Sequence, residues 1–439
     1  MNPRVAAYET LLLCEKEKQF SNIAVNNGIK KYSLDGVERD FYTRLVYGVV
    51  EKQLTLDYLV QHYTKKSIKR LDRSVAVILR LSLYQIKFLD KIPDSAAVSE
   101  GVKLASRFAS RAKGFINAVL RKACVENIAY PNADDKAEYY SVLYSVNPDI
   151  CRLLIDQYGD EAETILDGYQ SNPNLTLQVN SIHHSPDSFL AAYPINADRV
   201  SSLPFALRFK EKLPVSAMPF LSGSEAFVQD VASQLCTCVL SPEHNSIVID
   251  VCACPGGKSF SAANLMHSDS VKASEKVTGH IYTFDLHASK LSLIQSGASR
   301  LGYSWITSDV QDATVGRADL VGVADRIICD VPCSGLGVIA KKPEIRYKDI
   351  SEIEALPDLQ YRILCTSAKY LKDNGILVYS TCTVNKKENE AVVSKFLDQH
   401  PDYRAIDFTV GEYSSQNGCL TLLPNSEHDG FFIAKIQKK

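Results

Sequence analysis

Ile247-Val248-Ile249-Asp250-Val251-Cys252-Ala253-Cys254-Pro255-Gly256-Gly257-Lys258 begins as a short apolar run, passes through a glycine turn and leads into a helical pattern. A buried strand that feeds a glycine turn and then a helix is how an open α/β sheet offers backbone N–H groups to a nucleotide-type ligand. Two later segments share the strand end: Asp330-Val331-Pro332-Cys333-Ser334-Gly335 and Tyr379-Ser380-Thr381-Cys382-Thr383. Each sets a cysteine just past an apolar run that reads as a buried parallel strand, where open sheets carry their chemistry. Together the three segments imply a cysteine-dependent group transfer beside a bound nucleoside cofactor.

Around these segments, residues 221–439 alternate strand and helix patterns, which predicts a mainly parallel sheet covered on both faces. Strands are expected at 247–251, 280–285, 304–307, 325–330 and 375–381, with a terminal antiparallel pair near 403–408 and 430–436. The Ser- and Lys-rich stretch 268–279 reads as a surface insertion. Residues 1–130 carry apolar side chains at helical spacing, as in Val75, Leu79, Leu83, Ile86 and Leu89, and predict an all-helical domain. Pro93 divides two of its helices, with Asp94 or Ser95 as cap of the second. A linker is expected at the polar, proline-marked stretch 130–135. Residues 140–220 then read as a small α+β module: two helices, a turn at Ser171-Asn172-Pro173-Asn174, an alternating strand over 175–180, a helix at 185–193 and a strand at Leu207-Arg208-Phe209.

A chain of 439 residues is too long for one core and implies two or three domains. Its net charge of −2 hides an asymmetry. Residues 1–130 hold 22 Lys and Arg against 13 Asp and Glu, which leaves 27 against 38 of the chain's 49 and 51 for the remainder. A basic N-terminal third suits phosphate contacts with RNA, and it suits an ordinary solvated surface equally well. Twelve cysteines in a large chain without an apolar leader at Met1-Asn2-Pro3-Arg4 point to a reducing cytoplasm rather than to disulfides. Cys236-x-Cys238 and Cys252-x-Cys254 are too closely spaced for metal knuckles and have no histidine pair at ligand spacing, so no metal site is expected. No apolar run is long enough for a membrane span.

In order, the Asp-x-Cys-Ala-x-Pro-Gly-Gly-Lys turn, the Pro-Cys strand end and the Thr-Cys strand end resemble the RNA 5-methylcytosine methyltransferases that use S-adenosylmethionine. The N-terminal third is similar to the helical RNA-binding domain of the antitermination factor NusB. That likeness lies in Glu38-Arg39-Asp40, Leu45-Val46-Tyr47-Gly48-Val49-Val50, Ile92-Pro93-Asp94-Ser95-Ala96-Ala97-Val98 and Gly114-Phe115-Ile116-Asn117-Ala118-Val119-Leu120-Arg121. A chain with both looks like the bacterial small-subunit ribosomal RNA cytosine methyltransferases of the RsmB (Sun, Fmu) type. The resemblance implies an all-α NusB-like domain, a small α+β module that helps build the RNA groove, and a Rossmann-like methyltransferase domain.

It also implies roles. Cys382 is the nucleophile that adds to cytosine carbon-6, Cys333 assists release, and Asp330 hydrogen-bonds the cytosine ring edge. The cofactor would lie against Cys252, Ala253, Cys254, Pro255, Gly256, Gly257 and Lys258, with Asp285 on the ribose hydroxyls, Asp309 on the adenine side and Asp330 close by. Cys254 stands where the family commonly has alanine, a small-for-small change. Gln178 stands where relatives commonly carry a basic residue, so no phosphate contact is implied for its strand. Lys341, Lys342 and Arg346 are candidate phosphate contacts.

Each reading has a plainer rival. Asp285 reads equally as a helix cap before Asp285-Leu286-His287, and burial is the commonest fate of a free cysteine. Cys14, Cys124, Cys151, Cys236, Cys238, Cys365 and Cys419 are assigned to burial, and Cys329, one residue before Asp330, should point to the opposite face, into the core. The expected protein is a monomeric cytoplasmic enzyme that methylates RNA, ribosomal RNA first, with S-adenosylmethionine as the only cofactor. The same chemistry on transfer RNA and a non-catalytic RNA-binding assembly factor remain the alternatives.

Overall fold

A computed structural model describes residues 2–17, 21–128, 130–171, 173–211 and 218–439. The chain divides into two compact units, Met1–Leu166 with Lys341–Ile350, and Asp167–Ala340 with Ser351–Lys439.

The first unit is helical throughout. Its central helix, Arg73–Phe88, buries every residue from Val75 to Gln85, which an amphipathic surface helix never does. Tyr8, Tyr42, Leu45, Leu56 and Leu59 pack against it. The one charge within that stretch, Arg80, is neutralised by Asp57 (Nη2 to Oδ2, 2.8 Å) and by Glu15. Neither expected cap closes the helix Asp94–Phe108: Pro93 itself is the residue before the first turn, and no side chain caps it.

Two expectations change here. The helices Lys136–Tyr144 and Pro148–Tyr158 belong to the helical unit rather than to a middle module, because Tyr140, Val142, Tyr144, Ile150 and Leu154 are buried within it and Thr55 Oγ1 donates to Val142 O at 2.6 Å. The segment after the Pro-Cys loop, Lys341–Ile350, is also part of this unit. There Tyr347 Oη donates to Val50 O, Asn147 Nδ2 donates to Lys348 O at 2.8 Å, and Arg346, 2 % exposed, donates to Tyr144 O at 3.1 Å. Arg346 is therefore a structural residue and not a phosphate contact, whereas Lys341 and Lys342 are exposed.

The second unit starts with a four-stranded antiparallel sheet of β1 (Thr176–Val179), β2 (Ala197–Arg199), β3 (Ala206–Phe209) and β4 (Ala226–Val228), ordered β2-β3-β1-β4. Phe189 from the helix Pro186–Ala192 fills its core with Leu177, Val179, Leu207 and Phe209. The expected alternation in β1 is absent, since all four residues are buried. Gln234 and Asn264, from the next two long helices, donate to Leu177 O and Val179 O and help enclose the strand. Gln178, 3 % exposed, offers nothing to a phosphate. The expected turn at 171–174 includes Asn172, which lies outside the described residues.

The large sheet contains β5 (Ile247–Asp250), β6 (His280–Asp285), β7 (Ile306–Val310), β8 (Ala324–Asp330), β9 (Leu371–Thr381), β10 (Tyr403–Ala405), β13 (Cys419–Leu422) and β14 (Phe431–Lys438), with β11 (Thr409–Val410) and β12 (Tyr413–Ser414) forming a separate hairpin. Its order is β10-β14-β9-β8-β5-β6-β7, and β13 pairs with β14. Strands β5 to β9 run parallel, as their apolar runs predict, and β14 is antiparallel between β9 and β10. The stretch 268–279 is not a free insertion. The helix Gly257–Ala273 runs through half of it, and Asp269 and Glu275 hold both nitrogens of His244, at 2.8 and 2.7 Å. Among the described residues no helix is long and apolar enough to cross a membrane.

Candidate active site

The sheet reverses direction of growth between β5 and β8: from β5 it continues through β6 and β7 on one side, and β8 leads to β9 on the other. Such a switch point opens a crevice beyond the carboxyl ends of the strands. Asp250, Asp285 and Asp330 are the last residues of β5, β6 and β8, so three carboxylates arrive at this edge.

Past β5 the chain turns tightly, with Ala253 N donating to Phe284 O at 2.8 Å and Gly256 N to Ala253 O at 2.7 Å. Gly256 has φ +109°, and a Cβ there would lie 2.4 Å from the Phe260 ring, so glycine is required twice over. Gly257 is different. A Cβ on it would meet only Gln229 Nε2, at 3.6 Å, so the first turn of the helix Gly257–Ala273 has open space beside it where its unpaired N–H groups begin. The Cys252 thiol is pushed well up in pKa by burial, Cys254 approaches Lys290 O at 3.8 Å, and Pro255 is exposed. The turn thus fits a ligand that needs close backbone approach, and no thiol in it is a ready nucleophile.

Asp285 is 9 % exposed and accepts from His287 N at 3.0 Å. It orders the loop, but the residue before the helix Ala288–Leu301 is His287, which makes no side-chain cap. Asp309 lies opposite Phe284 on β7, is exposed, and is held by Arg317 Nη1 at 3.3 Å and by Val310 N at 2.8 Å.

Asp330 has both oxygens engaged. Lys258 Nζ donates to Oδ2 and Ser380 Oγ to Oδ1, each at 2.7 Å. Burial opposes the Lys258 charge, but the Asp330 carboxylate outweighs it and holds the ammonium above its usual range. Register explains the Ser380 contact, because Asp330 and Ser380 are partners across β8 and β9. Two residues beyond Ser380 and three beyond Asp330, Cys382 Sγ and Cys333 Sγ stand 3.2 Å apart. Their hydrogen bond first, then burial, and then the charges of Cys382, Glu388 and Asp330 push the Cys333 thiol well above the ordinary cysteine range. Gly337 N donates to Cys382 O at 3.0 Å, and a Cβ on Gly337 would strike Gly430 O. Cys329 is fully buried and packs in the core beneath the sheet, on the face away from Asp330.

Ser380, Gly337, Gln360 and Glu388 belong to this site as well, and the sequence reading passed over them. The available signal was the largely polar run Thr383 to Glu388 directly after an apolar strand. Cys151 and Cys236 are buried, whereas Cys14, Cys124, Cys238, Cys365 and Cys419 are only partly so. Among the described residues no group of three or more His, Cys, Asp or Glu side chains is arranged to hold a metal ion.

Asp250, unassigned by its sequence, is 1 % exposed and accepts from Ser259 Oγ at 2.6 Å. Burial first, and then the nearby Asp330 charge, raise its pKa to about 7. A folded-state pKa above the unfolded value means that the native state binds the extra proton, so stability falls as pH rises from about 4 towards 7. Asp250→Asn keeps the Ser259 contact and removes the charge. Its melting temperature should exceed that of the parent at pH 8 and approach it near pH 3, below the unfolded carboxyl pKa, which thermal unfolding at both pH values checks.

The family model described as 16S rRNA methyltransferase RsmB/F matches residues 237–437, and the NusB family model matches residues 1–124. The probable ribosomal RNA small subunit methyltransferase B of Synechocystis sp. is 33% identical, covering 100% of both chains. Its counterpart in Bacillus subtilis is 33% identical over 99% of this chain and 98% of its own. In fold, the crystal structure of PH0851 aligns over 100% of this chain and 98% of that one, with a TM-score of 0.81 at 24% identity. NSun6 from Pyrococcus horikoshii with SFG aligns over 66% and 97%, with a TM-score of 0.57 at 20% identity. A strand-end pair of cysteines beside a glycine turn, a helical N-terminal unit and full-length relatives at this identity lead to one assignment: the chain belongs to the RsmB/F family of 16S ribosomal RNA methyltransferases and carries a NusB-family N-terminal domain.

Proposed function

We propose that this protein methylates carbon-5 of a cytosine in small-subunit ribosomal RNA, through a covalent adduct between Cys382 and carbon-6. The observation that carries this reading is the pair of thiols 3.2 Å apart, at the ends of adjacent parallel strands and next to the Lys258–Asp330 pair. S-adenosylmethionine supplies an electrophilic methyl group. The first-turn N–H groups beside Gly257, with Asp285 and Asp309 at the neighbouring strand ends, are the residues that would hold it.

Carbon-5 of cytosine is a poor nucleophile, so the protein must first enrich the ring. The Cys382 thiolate adds to carbon-6, the electron pair of the 5,6 double bond moves toward N3, and N3 takes a proton from water, its new N–H donating to the Asp330 carboxylate at the ring edge. Carbon-5 of the resulting enamine takes the methyl group from the donor sulfonium, leaving the neutral thioether S-adenosylhomocysteine. A base then removes the carbon-5 proton, the Cys382–carbon-6 bond breaks, and the thiolate returns. Cys333, a thiol at neutral pH, donates to the departing sulfur. The target base must leave its stack for Cys382 to reach it, which favours an unpaired cytosine. The basic helical unit supplies RNA affinity through phosphate contacts.

The test is transfer of labelled methyl from S-adenosylmethionine to a 16S ribosomal RNA transcript, followed by bisulfite sequencing. One protected cytosine is the expected result. Better turnover on a transfer RNA transcript would move the substrate, and methylation at a position other than carbon-5 would overturn the chemistry. In the same assay Asp285→Ala should weaken S-adenosylmethionine binding by about 1.5–3 kcal/mol, the range for a hydrogen bond to a charged group. Calorimetry that returns the parent affinity would place the ribose contact elsewhere.

A further inference from the structure

Glu388 is fully buried, and no ion pair among the described residues neutralises it. Three neutral N–H groups solvate it instead. Ser334 N donates to Oε2 at 2.8 Å, Gln360 Nε2 donates to the same oxygen at 2.9 Å, and Asn385 Nδ2 donates to Oε1 at 2.9 Å. Burying a carboxylate is costly, and an amide or apolar residue would fill this space at lower cost to folding. The contacts show what the charge achieves. Ser334 follows Cys333, and Asn385 is three residues past Cys382, so one carboxylate grips both cysteine loops. Gln360 Nε2 also reaches Pro332 O at 2.9 Å, and Ser334 Oγ meets Thr383 Oγ1 at 2.7 Å. Glu388, Ser334, Gln360, Thr383 and Asn385 are all buried.

We propose that Glu388 is a positioning residue for methyl transfer: it clamps the Pro-Cys and Thr-Cys loops so that the two thiols stand in hydrogen-bond contact. The inference rests on the cysteine chemistry proposed above. Reach and charge act separately. The two carboxylate oxygens set loop spacing, and the negative charge beside Cys333 helps keep that residue a thiol.

Two variants separate these effects. Glu388→Asp keeps the charge but is one methylene too short to hold both loops. Its kcat should fall by up to about 100-fold, the size of effect that ångström-scale misplacement produces, with KM for RNA and for S-adenosylmethionine within twofold of the parent. Glu388→Gln keeps the length and the contacts of one oxygen, with Ser334 N and Gln360 Nε2, removes the charge, and sets an NH2 group against Asn385 Nδ2. Mass-spectrometric mapping of iodoacetamide alkylation should show the inflection for Cys333 shifted to lower pH in both variants, through the weakened Cys382 contact in Glu388→Asp and through the lost charge in Glu388→Gln. Mere loosening of the fold would raise alkylation at every pH without moving the inflection, and that result overturns the proposal, as does parental kcat in Glu388→Asp. If Cys382→Ala and Cys333→Ala both turn over normally, the cysteine chemistry itself has failed. If they are impaired while both Glu388 variants behave as the parent, only the clamp has failed.

Discussion

Cys382→Ala is expected to yield a folded protein that neither methylates RNA nor forms a covalent RNA adduct. The substitution removes one partly buried sulfur, so it should change stability by only about 1 kcal/mol. The same sulfur makes the first bond of the reaction, and without it carbon-5 stays unreactive whatever else is in place. Loss of a covalent nucleophile typically lowers kcat on the order of 10⁴-fold or more. A filter assay for methyl transfer and a denaturing gel for adduct measure the two losses independently. Retention of even a tenth of the parent rate would remove Cys382 from the chemistry.

The catalytic sheet was largely legible because buried parallel strands announce themselves: 280–285 and 325–330 coincide with β6 and β8 to within a residue. The strand ends followed, and with them Asp330, Cys333 and Cys382. What could not be read was the use each side chain finds in space. Lys258 was grouped with the cofactor turn, and its partner in the fold, Asp330, lies seventy-two residues away in sequence. Glu388 drew no reading, because nothing local distinguishes a buried carboxylate from a solvated one. Its partners, Ser334 and Gln360, come from elements that only the topology brings together.

Domain boundaries were the least legible feature. The polar stretch at 130–135 suggested a linker, but polarity marks a break in helix pattern and says nothing about which core the next helix joins. Arg346 failed for a related reason. A basic residue after a catalytic loop reads as an RNA contact, whereas here Lys341–Ile350 leaves the sheet and packs into the helical unit. This also limits what a truncation can show. Removing residues 1–130 would strip Tyr347 of Val50 and Gln53, so a loss of activity would not report RNA affinity alone.

Cys333→Ala should give the opposite phenotype to Cys382→Ala: a protein that attacks and methylates its RNA but releases it slowly. The physical reason lies in the 3.2 Å contact. A neutral Cys333 thiol that donates to the Cys382 sulfur stabilises it as a thiolate. A thiolate of lower pKa leaves faster, and it is also a somewhat weaker nucleophile. Taking the donor away therefore leaves the attack intact and slows the departure. In the presence of S-adenosylmethionine the variant should accumulate an RNA-linked band on a denaturing gel, in about one-to-one stoichiometry with enzyme, after a single turnover. Because burial and the contact with Cys382 keep Cys333 protonated, release in the parent should be steady across neutral pH and fall only well into the alkaline range, where the donor proton is lost. The variant should lack that alkaline dependence. The reverse gel pattern, with Cys382→Ala trapped and Cys333→Ala free of adduct, would make Cys333 the nucleophile and invert the roles of the two loops.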